Sequence, residues 1–149
     1  MKRLTRTVGK QWTAYVAAKF AHGRVDFFYA SSRAGRGPGP IVTVQASRST
    51  MPFGKVSAQT LQRSFAERAH RLNSPMHFKG CRYRPLAAVR YLECGIEIPG
   101  AALRTAYIPL GGELYLLVTG AAAPGHWKRM RGAYRAIVAA EGKRLGAHP

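Results

Sequence analysis

LRTAYIPLGGELYLLVTGAAAPGHWKRMRGAYRAIV, residues 103–138, changes its hydrophobic period once, and that change decides the fold. Residues 103–110 and 113–121 read as strands, and the Gly111-Gly112 between them is short enough only for a hairpin. In the second strand Leu114, Leu116 and Val118 alternate with Tyr115, Leu117 and Thr119, so both faces are apolar. Such a strand belongs in the middle of a sheet, with a helix or a partner over each face. Beyond Pro124-Gly125 the period becomes helical: Trp127, Met130, Tyr134, Ile137, Val138 and Glu141 fall on one stripe. Pro124 favours helix initiation. Gly132 and Gly142 each cost about 1 kcal/mol in a helix interior, which predicts fraying after Glu141, the one charged residue of the stripe.

Working outward, residues 77–84 and 87–98 are two more extended segments, set off by Arg84-Pro85 and Pro99-Gly100. Four strands with short separators predict an antiparallel meander. Before it, Ala58, Leu61, Phe65, Ala69 and Leu72 share a helical stripe while Arg63, Glu67 and Arg71 share another. Ser57 suits the N-cap and Asn73-Ser74-Pro75 the end of this helix. Residues 41–46, IVTVQA, read as a β-branched strand. Trp12 to Phe20 and Val25 to Tyr29 alternate around His22-Gly23 as a hairpin, and SSRAGRGPGP, residues 31–40, is an irregular loop. Residues 1–11, with Lys2, Arg3, Arg6 and Lys10, read as a basic arm; 12–145 form one α+β domain, and 146–149 a tail. There is no internal repeat. The expectation is an antiparallel sheet of six or seven strands with two helices packed on it.

The 149 residues include 24 Lys and Arg against 6 Asp and Glu, a formal net charge of +18. Charged residues are only 20% of the chain, below the usual quarter, so the imbalance comes mainly from missing carboxylates. Arg supplies most of the cations, as selection for anion contacts or a GC-rich genome would each produce. With 46% hydrophobic residues a core is available and intrinsic disorder is excluded. The longest apolar run, residues 114–123, is too short to span a membrane, and no apolar leader follows the basic start, so a cytoplasmic location is expected. Cys81 and Cys94 form no zinc-type spacing and read as ordinary buried thiols, with a disulfide or a reactive thiol as alternatives.

Catalytic groups are few. Asp26, Glu67, Glu113 and Glu141 are scattered, while Glu93 and Glu97 share strand parity and form the one candidate acid and base pair, opposed by the reading of a solvated face balanced by Arg90 and Arg104. His22, His70, His77, His126 and His148 have no metal-binding spacing, and GRGPG at 35–39 lacks the Lys-Ser/Thr of a phosphate loop. No cofactor, metal or catalytic residue is expected. The binding candidates are cationic: Lys128, Arg129, Arg131 and Arg135 on the last helix, with Lys143 and Arg144 after them, and Arg33 and Arg36 in the loop. Arg82, Tyr83, Arg84 and Tyr91 interleave charge and aromatic rings as possible sheet-face contacts.

PIVTVQASRS at 40–49, SAQTLQRSFAER at 57–68 and the opening stretch at 103–138 resemble, in order and pattern, the PsbP/DcrB-like family. The likeness runs from Val25 to Val138; Ala30-Ser31-Ser32 stands where a Pro-x-x-Trp segment often follows the family's first strand. The resemblance implies an α/β/α sandwich and a non-enzymatic accessory or adaptor protein, an assembly factor or chaperone-like module. The partner it suggests is a protein with a hydrophobic segment, and the positive charge adds an acidic one. The charge supports an alternative, a nucleic-acid-binding module that uses the basic helix and arm. The oligomeric state has no signature in the sequence.

Overall fold

The computed structural model describes residues 3–8, 12–16, 27–31, 40–87, 89–123 and 125–144, and in it eight strands form one antiparallel sheet. In chain order these are β1 (Arg3–Val8), β2 (Trp12–Val16), β3 (Phe27–Ser31), β4 (Ile41–Arg48), α1 (Ala58–Arg71), β5 (His77–Leu86), β6 (Val89–Ile98), β7 (Ala101–Gly111), β8 (Leu114–Ala122) and α2 (Trp127–Arg144). Their spatial order is β1-β2-β3-β4-β8-β7-β6-β5. The chain leaves β4, crosses through α1 to the far edge, and returns strand by strand until β8 closes against β4. The sheet has one strand more than the sequence indicates. The addition is β1, formed by part of the expected basic arm and paired with β2 through Val8 and Trp12.

Local chemistry accounts for most boundaries. The Ser57 side chain accepts a hydrogen bond from the Thr60 amide at 3.1 Å, capping α1 as its position predicts. Leu72 closes the helix and Asn73 takes a left-handed φ of 49°, which asparagine tolerates. One turn lies elsewhere than expected. Pro85 continues β5 opposite Arg90, and the reversal comes at Ala87, with φ 52°. β5 is an edge strand, where a residue without an amide hydrogen is admissible.

The two helices pack on opposite faces. Tyr91, Ala106, Ile108, Leu116, Val118, Val42 and Val44 meet Met130, Tyr134, Ile137 and Val138 of α2 in one core. Their strand neighbours Leu92, Cys94, Ile96 and Cys81 meet Ala58 and Leu61 of α1 in a second core. β8 is central, as its double apolar pattern requires. Gly120 of β8 makes the docking of α2 possible, because a Cβ there would lie 2.7 Å from Met130 Cε and 2.9 Å from the Trp127 ring.

Cys81 and Cys94 correct the sequence reading. They lie directly opposite on β5 and β6 and are joined as a disulfide, buried against α1. α2 also runs past the expected fraying point to Arg144. Glu141 is only 1% exposed; it accepts hydrogen bonds from the Tyr29 hydroxyl at 2.5 Å and Arg144 Nε at 2.8 Å, so the interruption of the stripe is a satisfied buried ion.

Candidate binding surfaces

Each helix covers only part of its face: α1 lies on β5, while α2 lies over β7 and β8 and reaches β1. Among the described residues, two of the resulting concavities lie diagonally opposed across the sheet. On the α2 side, β5 and β6 remain open beside the helix, and a cleft of about 570 Å³ forms there. Six cations line it: Lys79, Arg82 and Arg84 from β5, Arg104 from β7, and Arg131 and Arg135 from α2. Glu93 of β6 is the single carboxylate among them. Gly80 and Gly95 face each other across β5 and β6 and leave the floor without side chains.

Glu93 is 4% exposed, not solvated. Its Oε1 accepts from Arg84 Nε at 2.8 Å and lies 3.6 Å from Arg104. Arg90, the expected counter-charge, instead stands over the Tyr83 ring at 4.3 Å. Arg104 is held a second time, 5.2 Å from the centre of the Trp127 ring. Burial lowers the Arg104 pKa, an effect that the charge of Glu93 opposes. Burial foremost, and then the charge of Glu93, raise the pKa of Tyr134 far above the usual phenol value, and the same two causes raise that of Tyr91. Among the described residues, Glu93 Oε2 and the Tyr134 hydroxyl are buried without a hydrogen-bond partner. Glu97 lies on the same face, exposed and 3.5 Å from Lys79. The two carboxylates thus sit in unlike surroundings.

The cleft brings together Arg82, Arg84, Arg131 and Arg135, which the sequence offers as separate candidates from a strand and a helix. Lys128 is exposed on α2 outside the cleft lining, and Arg129 belongs to the same helix. Arg33 and Arg36 lie outside the described residues. Strand parity sends the interleaved rings and charges to different surroundings. Tyr83 points to the α1 side, where its hydroxyl donates to the Val56 carbonyl at 2.9 Å and accepts from the Gly54 amide at 3.0 Å. Tyr91 is buried in the core beneath α2. Neither ring offers a stacking surface beside Arg82 and Arg84. Among the described residues no three His, Cys, Asp or Glu side chains are grouped to hold a metal ion.

The second concavity is on the α1 side, between that helix and β8, and has a volume of about 420 Å³. Met51, Phe65, Phe78, Tyr107, Tyr115 and Leu117 line its interior, and Arg48 and Arg68 stand at its rim. Leu72 and Met76, 68% and 38% exposed, are the large apolar side chains that the described surface leaves most open, and both line this groove. Sequence reasoning missed it as a site. The available signal was the second apolar face of β8, Tyr115 and Leu117, with the single helix α1 to cover it and β5 together.

No family model matches the sequence, and no curated protein matches it. Solved structures do. The solution structure of cyanobacterial PsbP (CyanoP) from Synechocystis sp. PCC 6803 superimposes with a TM-score of 0.58, covering 87% of this chain and 79% of that one at 11% identity. The chain has the PsbP-like fold. At that identity the likeness concerns architecture: an antiparallel sheet between two helices, as the order of elements led us to expect. Among the described residues no helix of this PsbP-like chain is long and apolar enough to cross a membrane.

Proposed function

We propose that the chain is a non-enzymatic accessory protein that docks an acidic, amphipathic segment of another protein in the groove between α1 and β8. One observation carries this reading: Leu72 and Met76 are exposed beside an apolar groove whose rim holds Arg48 and Arg68. Apolar side chains of a partner would fill the interior, and its carboxylates would meet the two guanidinium groups, a division that gives affinity to the buried centre and orientation to the rim. The PsbP-like fold is consistent with an accessory role, and Glu93, the best-placed candidate acid, is engaged by Arg84 and Arg104. The buried Cys81–Cys94 disulfide favours an oxidising compartment over the cytoplasmic location expected from the sequence.

Selection of binders from a random peptide library on the full chain tests the reading. The expected peptides pair Leu, Ile or Phe with flanking Asp or Glu, and lose binding to a Leu72→Asp, Met76→Asp double variant and to Arg68→Glu. Selected peptides that bind the variants as well as the parent would overturn it. So would a surface that returns no peptides yet retains single-stranded oligonucleotides, the outcome that the nucleic-acid alternative demands.

A further inference from the structure

The cleft beneath α2 is independent of the docking groove and lies on the other side of the sheet. The geometry points to a built anion site there, one that takes a small oligophosphate, a compact ligand with at least two linked phosphate groups.

The charge argument comes first. Six cations and one carboxylate share a concavity of about 570 Å³. Like charges so gathered repel unless a counter-anion joins them, and Glu93, with Glu97 beside Lys79, answers only part of that repulsion. The second argument is geometric. Arg84 and Arg104 are the inner cations, with side chains 24% and 28% exposed, and both are held in place by Glu93. A guanidinium carries five N–H donors in a fixed plane, and the Glu93 contacts leave most of those on Arg84 and Arg104 without a protein partner among the described residues. Prepositioned donors of this kind suit the oxygens of a phosphate, which Arg engages two at a time. The third is the floor. Gly80 and Gly95 are directly opposed, and a Cβ at Gly80 would meet nothing within 4 Å. The space between the arginines is therefore open down to the backbone.

Size and distribution choose among anions. A cavity within the roughly 300–1,000 Å³ typical of small-molecule sites is larger than one phosphate needs and too confined for a duplex. Arg82 and Arg84 approach from β5 while Arg131 and Arg135 approach from α2, with Arg104 between. Cations on two opposed walls match a ligand with separated anionic groups better than a single one.

Titration calorimetry of the full chain with tripolyphosphate, with inorganic phosphate and with a single-stranded oligonucleotide tests the inference. Tripolyphosphate is expected to bind at one site per chain, and inorganic phosphate about tenfold or more weakly, one tenfold step being what the loss of a single charge-assisted contact removes. Gly80→Leu fills the floor and leaves all six cations in place, so it should abolish binding; an association by net charge alone would survive it. Arg82→Glu with Arg131→Glu, both at exposed positions, should weaken binding at least about tenfold, whereas Lys128→Glu, outside the cleft, should leave it nearly unchanged. Circular dichroism melts establish that each variant folds, and the charge pair decides the matter if Gly80→Leu does not. Undiminished binding by folded Gly80→Leu or by the charge pair, equal affinity for inorganic phosphate, binding of the oligonucleotide alone, or no tripolyphosphate binding at low ionic strength would each overturn the proposal.

Discussion

Glu93 shows how one residue carries both packing and charge. It is almost fully buried, and its partners Arg84 and Arg104 come from the strands on either side of β6. Removing the carboxylate leaves the partly exposed Arg84 and Arg104 without their shared counter-charge and loses charge-assisted hydrogen bonding worth about 1.5–3 kcal/mol. Glu93→Gln should therefore lower stability in urea unfolding by about 1.5–3 kcal/mol, and a loss under about 0.5 kcal/mol would contradict the ion-pair assignment. Glu141 is the parallel case beneath α2. Tyr29→Phe removes its 2.5 Å donor while Arg144 remains, so a loss of about 1.5–3 kcal/mol is expected in the same measurement. Neither role was legible locally. Alternation gave Glu93 the parity of Glu97, but only the lateral position of α2 separates the buried carboxylate from the exposed one.

The elements themselves were largely legible, because their causes are local. Ser57 capping α1, Asn73 closing it, Gly100 and the Gly111-Gly112 pair at two hairpins and the alternation of β8 each act within a few residues. The β5–β6 turn is the instructive failure. Placing it at Arg84-Pro85 puts the two strands several residues out of register, and Cys81 then cannot face Cys94. With the reversal at Ala87 the two are directly opposed, and the disulfide follows from that register. A cross-link closing a loop of this length contributes about 3 kcal/mol on chain-entropy grounds. The Cys81→Ser, Cys94→Ser double variant, or the reduced protein, should melt at a correspondingly lower temperature; two titratable thiols in denatured, unreduced protein would contradict the pairing. α2 makes its own demand on β8. Gly120→Val drives a branched side chain into the Trp127 ring, and an overpacking loss of about 1–3 kcal/mol is expected in thermal melts. An unchanged melting temperature would show that α2 does not sit on Gly120.

At the scale of the molecule, the helices cover diagonally opposed parts of one sheet, and the faces they leave open become a basic cleft and an apolar groove. Composition announced the cations without their convergence, since Arg82 and Arg84 meet Arg131 and Arg135 only when α2 folds back over the sheet. The groove depended on how far α1 sits toward β5, which no periodicity records. The buried phenols give the whole fold a pH limit. Tyr91, Tyr107, Tyr115 and Tyr134 all have raised pKa values, with burial the leading cause in each. Below the ordinary phenol pKa of about 10 both folded and unfolded chains keep these protons, so the tyrosines add no pH dependence. Above it the unfolded chain ionises first, and stability falls as pH rises. Tyrosinate absorbance from these four rings should therefore appear only with cooperative unfolding; their ionisation near pH 10 with the fold intact would contradict their burial.

The central functional claim is that partners dock between α1 and β8. Amide chemical-shift mapping of the isotope-labelled chain, titrated with an acidic amphipathic peptide selected on it, tests this most directly. The account predicts shifts concentrated at Met51, Phe65, Arg68, Leu72, Met76 and Leu117, with the outer face of α2 around Lys128 and Lys143 unmoved. Shifts confined to α2 with the groove silent would contradict it.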